Sequence, residues 1–462
     1  MSTFGGLNTA YTGLVAARRG LDVVGQNIVN ANVDGYTRQR VTLGSVEAVG
    51  NRFSTGAAAG QGVSVTGIAR LGDVMLDNQV RSTAGAYGHA NVRATSFSRL
   101  ESSLREPGEG GLSARFDAFA AAWQGVANQP GEAAPAAVLL GEAKALASRI
   151  AAGHDEASAE WTRVRADVDG LVAEVNSTAA GVAELNDRIR KGAAQGVGVN
   201  ELVDQRDRLA ASLAELTGAS VRHGEGGMVD VVVDGNSLVA GTKAHALRAE
   251  GGRSMSDTEG GPVRVTWADS GRSVAAGGEA GGLVSLLASV RDGGPIASAA
   301  AQYDALATKL ADAVNRLHAS GTAPDGSQGA PFFAIGAPPA TTLTVLPTGA
   351  SGIAAGIGGA DASIADRIAD LFGGPGSVDE DWSSYVTTFA AASKAATSSA
   401  KLAQTAATNA LGAQAAGASV DMDEENINLL MYQQAYQASA RVLSAVDEAL
   451  DTLINRTGVV GR

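Results

Sequence analysis

Both ends of the chain carry apolar residues at alternating spacings of three and four, and this feature constrains the fold more than any other. Near the start, Phe4, Leu7, Tyr11, Leu14, Leu21 and Ile28 keep the spacing, with Arg18 and Gly25 in two slots that should also be apolar. Near the end, Leu429, Tyr432, Tyr436, Leu443, Val446, Leu450 and Leu453 keep it, interrupted by Ser439. Such a heptad runs one apolar stripe along a helix and calls for a partner helix. Asp421, Asp423, Glu424 and Glu425 precede the second stripe, where a helix N-terminus favours negative charge and where Asp421 or Asp423 can act as cap. Stripes of this kind are ordinarily core faces of a globular domain. Here they lie at opposite ends of the chain, and Gly13, Gly20 and Gly25 weaken the first helix by about 1 kcal/mol each relative to alanine. Ordering a backbone costs about 1–2 kcal/mol per residue, so one seam against one partner is marginal. The ends are therefore expected to be mobile in an isolated chain and ordered when many copies pack side by side.

Between the ends the period stays helical for a long stretch. Leu112, Phe116, Phe119, Trp123 and Val126 form a short stripe. Trp161, Val164, Val168, Leu171, Val175, Val182, Leu185 and Ile189 form a long one with a gap at Thr178. A helix over 161–189 would be roughly 43 Å long at ~1.5 Å per residue, which implies a rod. Leu202, Leu209, Leu213 and Leu216 predict a further helix ending at Gly218. The period then changes to two: Val229, Val231 and Val233, a turn at Asp234-Gly235, then Leu238 and Val239 read as a β-hairpin. Residues 263–267 and 273–277 add strand candidates. Helical pattern returns over 283–317 and again over 382–416, with a loop-rich, glycine-containing stretch at 321–375 between them.

At 462 residues the chain exceeds one compact core and suggests two or three domains or an elongated molecule. Apolar residues reach 45% while aromatics are only 4%, so the packing relies on small side chains that let helices approach closely. The formal charge of −13 opposes a nucleic-acid partner, which requires a basic surface. No apolar run is long enough to span a bilayer, and the first residues lack the pattern of a cleaved secretory signal, so neither a membrane nor general secretion is expected. The absence of cysteine excludes disulfides and thiolate chemistry.

The segment Asn27 to Gln39 is rich in turn-forming residues. Asn27, Asn30 and Asn32 can end a helix, Asp34-Gly35 permits a left-handed turn, and Tyr36 can anchor the reversed chain against the helix. This segment resembles the asparagine-rich box near the N-terminus of flagellar rod, hook and hook-associated proteins. The stretch from Val420 to Asn455, with its Gln433 to Arg441 core, looks like the terminal helix of the flagellar hook-associated protein 1 family. Phe4 to Leu14 and Glu184 to Leu216 fit the same family, so the resemblance covers roughly the first 220 and the last 80 residues.

The resemblance implies a fold that is mainly α with a small β insertion: elongated, with paired N- and C-terminal helices, a long-helix bundle and a central β domain. Residues 1–60 and 417–462 would be terminal assembly helices of an inner tube. Residues 61–218 and 283–416 would form the bundle, and 219–282 a small outer β domain. It further implies a structural subunit at the hook–filament junction, forming a ring of identical subunits. Its partners would be the hook protein, a second junction protein, filament proteins, and an export chaperone at the C-terminal helix. Localisation would be the extracellular flagellum, after export through the flagellar secretion channel without a cleaved signal. The alternatives are another axial protein (hook, rod or filament subunit) or, in a different class, an extracellular adhesin or enzyme on a flagellin-like scaffold.

Catalytic chemistry finds no foothold in the sequence. There is no Walker loop, no H-E-x-x-H pair and no G-x-S-x-G elbow. His89, His154, His223, His245 and His318 are widely spaced, and His154 with Asp155 and Glu156 reads as a solvated polar face. The glycine clusters at 108–111, 224–227 and 356–359 read as loops. Trp123 and Trp161 read as core. Asp204, Arg206, Asp207 and Arg208 are expected to form exposed ion pairs along one helix. No catalytic, cofactor or metal site is expected.

Overall fold

The computed structural model describes residues 3–33, 35–47, 60–257, 259–358 and 361–456, without the side chains of residues 3, 4, 453 and 456. Its spine is α4 (Ala133–Ala194), one unbroken helix of 62 residues, about 93 Å long at ~1.5 Å per residue. Proline occurs only in its first turn, where a missing N–H costs nothing. Every residue of the long stripe is buried, and Ala179 covers the gap at Thr178. The short stripe lies on α3 (Leu112–Asn128), and all five of its residues are buried against α4. Packed on this spine, besides α3, are α2 (Val74–Leu104), α5 (Asn200–Thr217), α6 (Gly278–Leu286), α7 (Pro295–His318) and α8 (Pro339–Thr342); α9 (Ser363–Ala369) rests on α3 and α7, α10 (Val378–Ala418) runs beside α2, and α1 (Thr3–Asn30) pairs with α11 (Met422–Asp451). The fold is mainly α.

Expected helix ends hold in one place and fail in another. α5 stops where Gly218 adopts φ +69°. The helix expected over 283–317 is in fact two. Gly293 takes φ +77° and Pro295, which has no N–H, starts α7 afresh.

The β content is small and packs on α4. β3 (Ser220–His223), β4 (Val229–Val233), β5 (Asn236–Ala240) and β6 (Lys243–Ala244) form one antiparallel sheet in that order. Asp234 at φ 49° and Gly235 at φ 74° make the tight turn expected between β4 and β5. β7 (Leu247–Glu250) pairs with β8 (Arg264–Trp267). The strand expected at 273–277 is reduced to a bridge at Ser273, because the chain there turns toward α6, with Ala275 N donating to Asp234.

Two asparagines on α4 act as strand rungs for these sheets. Asn186 donates to Val229 O (2.7 Å) and Gly241 O (2.6 Å) and accepts from Val229 N (3.1 Å). Asn176 exchanges both bonds with Leu247 at 2.8 Å. The β segment thus lies flat along the C-terminal half of α4.

The opposite end is taken by residues 321–375, including β9 (Phe333–Ala334), β10 (Thr344–Val345), α8 and α9. Aromatic rings hold it: Phe119 contacts Trp123, Phe332, Phe333 and Phe372 at centroid distances of 5.8–6.2 Å. His318 pins this segment through both ring nitrogens. Nε2 accepts from Ala354 N (2.9 Å), so Nδ1 carries the proton directed at Ala330 O (2.5 Å). Burial lowers the pKa of His318, partly offset by that carbonyl, and the ring is neutral. A further hairpin, β1 (Gln39–Ser45) with β2 (Val63–Arg70), follows α1. β1 falls in the stretch assigned from sequence to terminal helices, and β2 opens the stretch assigned to the bundle.

Candidate assembly site

The chain ends pair with each other. Gly6, Gly13 and Gly20 of α1 face Val446, Ser439 and Tyr432 of α11, and Asn27 meets Glu425. Each step of seven forward on α1 is a step of seven back on α11, which is an antiparallel heptad register. The glycines that weaken α1 as an isolated helix are the points of closest approach. A Cβ on Gly20 would enter the Tyr432 ring, and one on Gly13 would stand 3.0 Å from Ser439 Oγ. Ala10, Ala17 and Val24 complete this row and are buried.

The contact row on α1 therefore lies one residue before the stripe read from sequence. Leu7, Leu14, Leu21 and Ile28 are only half-buried and Tyr11 is 58% exposed. On α11 the stripe and the contact row coincide: Leu429, Tyr432, Leu443, Val446 and Leu450 are half-buried, and Tyr436 is exposed. The side chains of Phe4 and Leu453 lie outside the described residues. Beyond the seam, Val15, Val29, Ile427, Leu430, Met431 and Val442 are also exposed. The helix pair thus carries apolar side chains on its outer faces as well as between its helices, the pattern of a surface made to be covered.

The asparagine-rich box ties this pair to the rod. Asn27 is 1% exposed, and its side chain uses both ends. Nδ2 donates to Gln39 O (2.9 Å) and Glu425 Oε2 (3.2 Å), and Oδ1 accepts from Tyr36 Oη (2.9 Å) and Gln39 N (3.0 Å). One residue thereby joins α1, the reversed chain, β1 and α11. The Tyr36 hydroxyl is pushed up to about 12, first by burial and then by Glu201, Asp204 and Glu425, which keeps its proton available for Asn27. Asn30 bonds back to Gln26 O (2.9 Å) in the last turn of α1, and Asn32 is exposed. Gly35 takes φ +70° and lies against Arg208, while Asp34 lies outside the described residues.

Arg38 clamps the start of α11. Its Nε donates to Glu425 Oε1 (2.7 Å), and it pairs with Glu424 as well. Burial opposes its charge, but those bonds outweigh burial and raise its pKa. Asp421 caps α11, accepting from Asp423 N (2.8 Å) and Glu424 N (3.2 Å).

A third set of contacts overturns one expectation. Asp204 and Arg206, read as exposed ion-pair residues, are 4% and 2% exposed. Asp204 accepts from Arg70 Nε (2.9 Å) and Thr37 N (3.3 Å), and Arg206 donates to Gly227 O (2.6 Å). Arg206 also pairs with Asp207 on its own helix (2.8 Å), but helical spacing could not show the partners that bury the two residues, which come from the elbow, β2 and the β segment. His154, read as part of a solvated face, is likewise buried, with Nε2 3.9 Å from Asp304. Among the described residues no group of three His, Asp or Glu is placed to hold a metal, and no helix is long and apolar enough to cross a membrane.

Residues 7–37 match the model of the flagella basal body rod protein family, and residues 416–456 match that of the C-terminal segment of flagellar basal body rod FlgEFG proteins. Both ends thus have the character of flagellar axial proteins. Residues 97–333, half of the chain, match the helical domain of flagellar hook-associated protein FlgK, and the chain belongs to that family of structural flagellar proteins. Flagellar hook-associated protein 1 of Bacillus subtilis (strain 168) is 28% identical over the full length of both chains. That of Salmonella typhimurium is 30% identical over 72% of this chain and 60% of its own. The flagellar hook junction protein FlgK from Burkholderia pseudomallei overlaps in part, with a TM-score of 0.47 and 24% identity over 56% of this chain and 47% of its own.

Proposed function

We infer that this chain is a structural subunit at the hook–filament junction of the bacterial flagellum, a connector and not an enzyme. The observation that carries this reading is the α1–α11 pair, whose small-residue inner row leaves large apolar side chains facing outward. Copies standing side by side would cover those faces and form the inner tube, with residues 1–60 and 417–462 as its wall. The bundle formed by 61–218 and 283–416, with its 219–282 β segment, would surround that tube. The partners are further copies in a ring, the hook protein below, and a second junction protein and the filament above. The exposed face of α11 is also the natural seat for an export chaperone that keeps it from aggregating before passage through the flagellar channel. The matches of both ends to rod-protein models favour, as a second reading, another axial position.

Deleting residues 427–454 tests the main reading. The rod should still fold, while cells make hooks without filaments and release filament protein into the medium. Normal filaments from such cells would refute it. Shortened or missing hooks would favour the second reading.

A further inference from the structure

Among the described residues, one buried cation of the rod makes no ion pair. Arg81 of α2 is 6% exposed; its Nη2 donates to Asn78 Oδ1 at 3.1 Å, and its Nε has no partner. The carboxylates whose fields reach it are committed elsewhere. Asp77 accepts from Gln414 Nε2 at 2.6 Å, and Asp207 is held by Arg70 and Arg206. Arg206 adds repulsion. A desolvated guanidinium in this position is unfavourable until an anion reaches it.

Arg81 lines an open recess of 720 Å³ between α2, β3 and the start of α6. Ser82, Ser220 and Arg222 supply further donors on its wall, and the backbone of Gly218, Gly277 and Gly278 closes one side. The planar fork of an arginine fits a carboxylate with two parallel hydrogen bonds. We propose that this recess receives a carboxylate side chain from a second copy of this chain, which supplies the counter-ion that the subunit's own fold withholds from Arg81. The inference rests on the packing of copies proposed above. A second copy suits the site because the chain carries a formal charge of −13: a neighbour presents abundant acidic side chains to a basic recess. The contact then adds specificity and register to an assembly otherwise driven by apolar helix faces.

Two variants test the proposal. Arg81→Lys places a primary amine where a zero-length carbodiimide can couple it to a touching carboxylate. In assembled flagella built from mixed isotopically heavy and light copies, mass spectrometry should find position 81 joined to an Asp or Glu peptide of the other copy. That link should be absent in dilute subunits. An unmodified position 81 in flagella that contain the variant, or a link to a different protein or within one copy, would overturn the proposal. Arg81→Met keeps the stem and removes the charge. The isolated variant should melt at or above the temperature of the parent chain, yet be incorporated several-fold less well. A clearly lower melting temperature would mean that the guanidinium is satisfied within its own fold and would overturn the proposal, even if neither variant assembles. Sodium acetate that raises the melting temperature of the parent chain but not of Arg81→Met, without any inter-copy link, would assign the site to free anions instead. Absence of the unaltered chain from the junction would sink the functional reading. Its presence there with position 81 silent would sink only this inference.

Discussion

The rod around α4 and the pair formed by α1 and α11 are both helices packed on heptad-like rows, yet they bury different things. Along α4 the row is Val, Leu, Ile and Trp, nearly all out of solvent, with aromatic rings at one end and valine-rich strands clamped by Asn176 and Asn186 at the other. Between α1 and α11 the inner row on α1 is mostly Gly and Ala, and the large residues stand half outside it. Burying a large apolar side chain contributes about 1.5–3 kcal/mol, whereas a small one contributes far less. Close approach without much buried area defines a geometry more than it stabilises one. The rod is therefore expected to fold as a single copy, and the terminal pair to need neighbours for its stability.

The largest effect should come from the rod. Trp123 is fully buried among Phe119, Phe332 and His318, so Trp123→Ala should cost about 3–5 kcal/mol, read as a fall in the chemical-denaturation midpoint. A change under 1 kcal/mol would show that the aromatic end is not the stable part. Gly20→Val should do the opposite. Its side chain collides with Tyr432, so incorporation into flagella should be lost while the melting temperature of the rod stays unchanged. A matching fall in that temperature would merge the two regions into one cooperative unit.

Asn27→Ala acts at the joint. It strands the Gln39 N–H and the Tyr36 hydroxyl, and in assembled flagella should weaken local protection of α1 by about 1–3 kcal/mol in hydrogen exchange, leaving the rod amides as they were. The smallest effect is a pH effect confined to the rod. The pKa of His318 is lowered on folding, so the stability it contributes is complete above the unfolded value near 6.5 and is lost as pH falls below it. His318→Gln should flatten that acid limb of the melting-temperature profile. An unchanged limb would locate the acid sensitivity elsewhere.

These contrasts also explain what the sequence disclosed. The α4 and α3 stripes were legible because a fully buried helix face writes large residues at helical spacing, and the β4–β5 turn because Asp-Gly is one of the few pairs that suit two positive φ angles. The true seam of α1 was hidden because large apolar residues dominate a periodicity search, while Gly6, Gly13 and Gly20 read as interruptions. A glycine every seventh residue was the signal that could have found it. The roles of Asn27 and Tyr36 were partly legible as a turn anchored on the helix. Glu425, Arg38, Asp204 and Arg70 could not be joined to them, since their partners lie more than a hundred residues away. The β1–β2 hairpin was missed because its strands flank a long connection and not a short turn.

Hydrogen exchange on the subunit, first isolated and dilute and then in assembled flagella, addresses the contrast most directly. The account predicts slow exchange along α4 in both samples, and fast exchange over 3–30 and 422–451 in the isolated chain that becomes slow on assembly. Strong protection of both terminal helices in the dilute subunit, equal to that of α4, would contradict it.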